Sequence, residues 1–300
     1  FLDEAQLIPN IGTGLKLLLD NLPELKIIVT GSSSFDLANK ISEPLTGRIW
    51  NYHLYPIATV ELSTIYNNFE LDSLLENQLI FGSYPDIFSQ NNNQLKKEYL
   101  ENLSNSYLYK DILNIADIRN SNKIRDILKL LAFQIGSEVS LTELGNSLDI
   151  NKDTVNRYLD LLEKAFIITP LSGYSRNLRK EVTKMRKFYF NDLGIRNILI
   201  DNLKPLKDRD DIGKLWENYL FIERTKLQKY SQTLYSPYFW RTYTGAEIDY
   251  IEDREGSLHG YEFKFNSKLT QGPTTWSATY PSSTFTPINK DNYLSFILNQ

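Results

Sequence analysis

The chain has 300 residues, 41% of them hydrophobic and 23% charged, with a net charge of -4. That balance describes a globular chain long enough for two or three domains and excludes a surface basic enough overall to coat nucleic acid, so any nucleic-acid contact is local. No run of 18 apolar residues argues for a membrane span, and zero cysteines leave no disulfide and no thiolate zinc site, which together set the expectation of a cytoplasmic protein without a membrane partner.

The first six residues, Phe1-Leu2-Asp3-Glu4-Ala5-Gln6, carry an apolar pair into two carboxylates. A buried strand of a P-loop ATPase ends this way, with one carboxylate for Mg²⁺ and its neighbour for the attacking water. The glycine-rich phosphate loop that such a site needs, G-x-x-x-x-G-K-[ST], is not in these 300 residues. Residue 1 is Phe and the single methionine is Met185. The expectation is therefore a truncated piece of a longer protein.

Residues 1–60 alternate strand and helix signals: a strand into Asp3-Glu4, a helix from about Gly14 to Leu22, and an apolar run Leu25 to Thr30 leading to Gly31-Ser32-Ser33-Ser34. Polar residues at the carboxyl ends of apolar strands are where open parallel sheets hold ligands. Leu45-Thr46-Gly47-Arg48 then puts an arginine on a turn, a position from which a guanidinium can meet developing phosphate charge. Residues 61–118 read as a helical connector broken by the turn Phe81-Gly82-Ser83-Tyr84-Pro85-Asp86, whose Gly and Pro are structural.

From Ser121 the helical period sharpens. Ile124, Ile127, Leu128 and Leu131 form one stripe; Ser140-Leu141-Thr142-Glu143 is a capping box; Asn151 caps a further helix whose Val155, Leu159, Leu162 and Phe166 share a face. Three helices with a tight turn between the last two are a helix-turn-helix, and the runs Ile167 to Leu171 and Lys187 to Phe190 flank a wing. The last helix balances Lys152, Arg157 and Lys164 against Asp153, Asp160 and Glu163, so it carries no net charge for phosphates. The wing is basic: Arg176, Arg179, Lys180, Lys184, Arg186 and Lys187 stand against Glu181, a set suited to DNA phosphates or to a solvated hairpin.

In residues 205–300 the helix opened by Gly213-Lys214-Leu215-Trp216-Glu217 precedes a strand at Tyr238 to Arg241. Two further strands, Ala246 to Ile251 and Gly260 to Phe265, flank the turn Asp253-Arg254-Glu255-Gly256. Strand period two puts Glu262 and Lys264 on one face and Tyr261, Phe263 and Phe265 on the other. If Asp249 lies on the same side, two carboxylates and a lysine converge, and Glu217 is a candidate third acid. Such oxygens suit Mg²⁺, while the lysine can orient a hydroxide attacking phosphorus. Salt-bridged pairs on a sheet are the alternative reading of the same residues. A strand and short helix, Thr284 to Ile288 and Asn292 to Phe296, close the chain.

Taken together, Phe1 to Gln6, Ile28 to Ser34, Leu45 to Arg48, Leu54-Tyr55-Pro56-Ile57 before Glu61, the Gly-Tyr-Pro-like turn and Phe188 to Arg196 resemble a bacterial and archaeal family of AAA-type P-loop ATPases with a C-terminal domain of unknown function. The resemblance implies that Asp3 and Glu4 are the Walker B pair, Asp3 the Mg²⁺ ligand, Thr30 and Ser32 a phosphate-sensing turn, and Arg48 a finger. It implies ATP and Mg²⁺ as cofactors of the full-length parent, with a further Mg²⁺ at the C-terminal site. Asp249 and Glu262-x-Lys264, with Glu217, resemble the PD-(D/E)xK nuclease motif. The expected architecture is multidomain α/β and α. It comprises part of a P-loop ATPase sheet (1–60), a helical connector (61–118), a winged helix-turn-helix (119–204) and an α/β PD-(D/E)xK nuclease-like domain (205–300). Three functions follow: a fragment of an ATP-hydrolysing protein with a DNA-associated role, a metal-dependent nuclease acting on DNA, or a non-catalytic DNA-binding scaffold, with a homo-oligomer expected if Arg48 acts in a neighbouring subunit.

Overall fold

A computed structural model describes residues 1–31, 45–108, 121–175, 186–266 and 271–299. At its start, Leu2 and Val29 pair in parallel: the Leu2 amide bonds the Ile28 carbonyl at 2.9 Å and the Thr30 amide bonds the Leu2 carbonyl at 2.8 Å. The apolar run Leu25 to Thr30 is expected to form a full strand, yet among the described residues it forms one bridge, Leu2 with Val29. Helix α1 (Ile11–Asn21) packs Ile11 and Leu15 onto Ala5 and Leu45, a small core of its own. Predicted to begin near Gly14, α1 starts three residues earlier.

The described part of the 61–118 stretch is mostly helical: α2 (Thr59–Leu62), which begins just before it, α3 (Asn68–Phe81), α4 (Pro85–Ser89) and α5 (Asn93–Asn102); residues 109–118 lie outside the described residues. Asn67 caps α3 by accepting from the Phe69 and Glu70 amides. Gly82 ends α3 at φ +78°, and a Cβ there would collide with the carboxylate of Asp192. That carboxylate accepts from the Ser83 amide at 2.7 Å and caps α9 (Leu193–Leu199) through the Ile195 amide at 3.1 Å. Two conspicuous sequence stretches, around Gly82 and Asp192, are thus the two halves of one buried joint.

Next come α6 (Ser121–Phe133), strand β1 (Glu138–Val139), α7 (Leu141–Leu148), α8 (Lys152–Lys164), β2 (Ile168–Gly173) and β3 (Arg186–Phe190). Ile124, Ile127, Leu128 and Leu131 are buried, as are Val155, Leu159 and Leu162, so both predicted stripes face the core. Ser140 and Asn151 cap α7 and α8 through the Glu143 and Thr154 amides. Phe166 departs from the expected stripe: α8 ends at Lys164, and Phe166, at φ +56°, turns out to meet His53 edge-on at 4.7 Å.

The long helix α10 (Ile212–Tyr230) leads into β4 (Ser236–Arg241), β5 (Glu247–Arg254), β6 (Ser257–Phe263), α11 (Thr274–Thr279), β7 (Thr284–Ile288) and α12 (Tyr293–Leu298). The β5–β6 hairpin turns on Glu255 and Gly256, both at positive φ, as a two-residue turn with this twist requires. All seven strands join in one mixed sheet of order β1-β3-β2-β4-β5-β6-β7. Its middle seam is the parallel pairing of Ser172 and Gly173 in β2 with Tyr238 and Phe239 in β4, so the sheet continues across residue 205. A large core containing Leu79, Leu128, Tyr189, Trp216, Tyr250 and Phe296 lies under α10, and a smaller aromatic one, built on Trp240, Trp276 and Tyr280, covers the other face of β4–β6. Among the described residues no helix is long and apolar enough to cross a membrane.

Candidate functional site

Two places hold residues singled out in the sequence. At the first, the parallel pairing sets the end of the Phe1-Leu2 segment beside Thr30, whose hydroxyl donates to the Asp3 carboxylate. Asp3 is exposed and Thr30 half-buried, and Glu4 follows at φ +49°. Arg48 is turned elsewhere: Nη1 lies 2.6 Å from Asp20 Oδ1 on α1, in a pair exposed at both ends. Ser32 lies outside the described residues. The donor set fits one side of a Mg²⁺-nucleotide site, carboxylates and a hydroxyl at a strand end. The backbone amides and lysine of a phosphate loop are absent from the sequence.

The second place lies where α10 crosses the sheet. Period two puts Glu247 and Asp249 of β5 on one face, and Lys187 and Tyr189 of β3 on one face. Glu217 of α10 reaches down between them. Its Oε1 accepts from Tyr189 Oη at 2.6 Å and from Lys187 Nζ at 3.1 Å, and Lys187 also lies 2.7 Å from Glu247 Oε1. Asp249 Oδ2 accepts from the Phe263 amide at 2.7 Å, while Glu262 and Lys264 pair at 2.7 Å. The structure therefore gathers Glu217, Asp249, Glu262 and Lys264 in one electrostatic neighbourhood and adds Lys187, Tyr189 and Glu247.

The charges respond to that crowding. Burial first, and then the Glu217 charge, push Asp249 up to about 7, against the opposing pull of the Phe263 amide, Lys187 and Lys264. Glu262 is raised by burial and by Asp249. Burial works against the Lys187 ammonium, but Glu217 and Glu247 outweigh it and its pKa is raised; for Lys264 burial is likewise outweighed, by Glu262 and Asp249. Burial and Glu217 hold Tyr189 well above the usual phenol range. Among the described residues no group of three or more His, Asp or Glu side chains is arranged to share a metal ion. As arranged, the site is an ion-pair network and the expected three-carboxylate Mg²⁺ centre does not fit it.

Of the basic wing, Arg176, Arg179, Lys180 and Lys184 lie outside the described residues. Arg186 bonds Asn156 of α8 at 3.0 Å. Lys187 belongs with the interior rather than with a phosphate-binding surface, since it is 3% exposed and engaged by two carboxylates. Sequence reasoning missed this role although a signal exists: in Lys187-Phe188-Tyr189-Phe190 a lysine shares the face of Tyr189 on a strand that is otherwise aromatic.

Three family models match the chain. Residues 1–63 match a family described as an AAA domain, 72–206 a domain of unknown function (DUF8612), and 212–275 another (DUF4143). The first and last matches support an AAA-type ATPase-like family. Uncharacterized proteins of Mycobacterium tuberculosis, Methanocaldococcus jannaschii and Haemophilus influenzae are 28%, 26% and 24% identical over 89%, 74% and 66% of this chain. The chain spans 58%, 52% and 50% of their lengths. No solved structure matches.

Proposed function

We propose that residues 1–63 contribute the metal-and-water side of an ATP-hydrolysing site in the whole protein, with Asp3 on Mg²⁺, Glu4 on the attacking water and Thr30 at the γ-phosphate. The observation that carries this reading is the parallel register of Leu2 with Val29. It brings Asp3 and Thr30 together just past a parallel bridge, the place that corresponds to the strand ends where open α/β sheets hold ligands. Residues 1–300 alone are expected to bind ATP no better than weakly, because phosphate-loop amides and lysine supply most phosphate contacts. The test is Glu4→Gln in the protein expressed from its whole reading frame. Nucleotide binding should persist while hydrolysis falls by about a hundred-fold or more. Unchanged hydrolysis would overturn the assignment.

The order α6-β1-α7-α8-β2-β3, with β3 paired to both β1 and β2, supports a winged helix-turn-helix, and through it DNA as a partner, with Arg186 beside the wing. Retardation of duplex DNA at low salt is expected, and none at any salt would exclude it. A second reading makes the C-terminal sheet a PD-(D/E)xK-like nuclease. The neighbourhood of Asp249, Glu262, Lys264 and Glu217 is what favours it, although Glu217, Glu262 and Lys264 are ion-paired as they stand and the carboxylates would have to regroup around a metal. Metal-dependent cleavage that is equal in wild type, Asp249→Ala and Lys264→Ala would remove it.

A further inference from the structure

The carboxylate cluster under α10 already contains a cation. Two carboxylate oxygens from unconnected elements, Glu217 on α10 and Glu247 on β5, aim at one point and stand 3.1 and 2.7 Å from it. Oxygens converging in this way are how proteins surround a hard divalent ion. Here the point is Nζ of Lys187, whose charge would repel any metal placed there.

The surroundings fix the ammonium in place. Tyr189 donates to the same Glu217 oxygen, the Phe239 ring lies 5.2 Å from Nζ, and the turn at Gly136 closes over the other Glu217 oxygen, where a Cβ would stand only 3.2 Å away. Lys187 is delivered by β3, a strand paired with β1 and β2, whereas the acids come from α10 and β5. The charge balance of the C-terminal sheet therefore depends on a side chain from the preceding module.

We propose that Lys187 occupies the position of a divalent cation in this cluster, so that the Glu217–Glu247 position is closed to metal in the native chain and opens when the ammonium is removed. The nuclease-like reading of the sheet is the reason to look for a metal there, but the inference concerns occupancy and needs no cleavage. An absence of DNA cleavage leaves it standing. Metal binding by the native chain at this position removes it and leaves the nuclease reading intact.

The experiment is calorimetric titration with Mn²⁺ alone on residues 1–300, with near-ultraviolet circular dichroism establishing that each variant is folded. Wild type should show no saturable binding that depends on Glu217. Lys187→Ala should bind Mn²⁺ at least about ten-fold more tightly than wild type, now that two convergent carboxylates lack their counterion. Adding Glu247→Gln should abolish the gain. Saturable wild-type binding that Glu217→Gln removes would overturn the proposal, and this arm is independent of how well the lysine variant folds. So would a folded Lys187→Ala chain that binds no more tightly than wild type.

Discussion

Replacing Lys187 by Met keeps most of the buried stem and deletes the charge, which isolates the ion pairing. Nζ contacts Glu217 at 3.1 Å and Glu247 at 2.7 Å, with the Lys187 side chain almost fully enclosed. Removing one partner of a buried pair costs ~3–5 kcal/mol because an uncompensated charge stays inside. The Glu247 side chain, 33% exposed, can rotate toward water. That relief places the expected loss at the lower end, about 3 kcal/mol, or roughly two decades in the unfolding constant. Urea unfolding followed by fluorescence of the buried Trp216 and Trp240 measures it.

The pH dependence gives a second check. In the wild type the Lys187 pKa is raised, so its contribution is complete below the unfolded lysine value of 10.5 and is lost as pH rises through the folded one. The gap between wild type and Lys187→Met should therefore be full at pH 7. A midpoint difference worth less than about 1 kcal/mol at pH 7 would refute the view that Lys187 neutralises this cluster.

Asp249 gives the opposite sign. Burial and the Glu217 charge raise it from 3.8 to about 7, so the native state holds its proton more tightly and stability falls as pH rises between those values. Asp249→Asn, which retains an acceptor for the Phe263 amide, should be more stable than wild type at pH 8, with ~4 kcal/mol as a ceiling, and no more stable at pH 3. Melting temperatures across that range decide it. Gly82→Ala should destabilise by ~3 kcal/mol or more, since the position has φ +78° and faces the Asp192 carboxylate; hydrogen exchange at Ser83 and Ile195 reports the loosened joint. Arg48→Ala breaks only an exposed pair with Asp20 and should change stability by less than ~0.5 kcal/mol in thermal melts.

What could be read beforehand was whatever depends on local period and turn chemistry. Ile124, Ile127, Leu128 and Leu131 mark a helix face because four residues at that spacing have one side to hide, and Glu255-Gly256 marks a hairpin because the turn requires positive φ. Strand alternation put Glu262 and Lys264 on one face, but the side of Asp249 depends on an irregularity in the β4–β5 register that alternation does not show. The place of Lys187 was not legible, because its partners lie 30 and 60 residues away and its neighbours in sequence are basic. Charge counting put it on a basic wing suited to DNA phosphates or to solvent, where period two along β3 sets it beside Tyr189. Phe166 failed for a different reason: its spacing continues the stripe, but the helix stops two residues short of it.

Helix α10 links the ion-pair cluster to residues 57–59. Glu217 in its second turn holds Lys187 and Tyr189, and further along Glu223 accepts from the Thr59 amide at 2.5 Å and pairs with Lys226 at 2.7 Å. Lys226 in turn reaches the Ile57 carbonyl at 3.4 Å, and Tyr219 meets the Thr59 hydroxyl at 2.9 Å. Residues 57–59, inside the segment that matches an AAA domain, are thus bound to the helix that also carries Glu217. A rigid helix transmits displacement along its axis, and side chains six positions apart on it are ~9 Å apart. Displacing residues 57–59 must therefore either break the Glu223 contacts, which are buried and costly to lose, or carry α10 and its grip on Lys187 along.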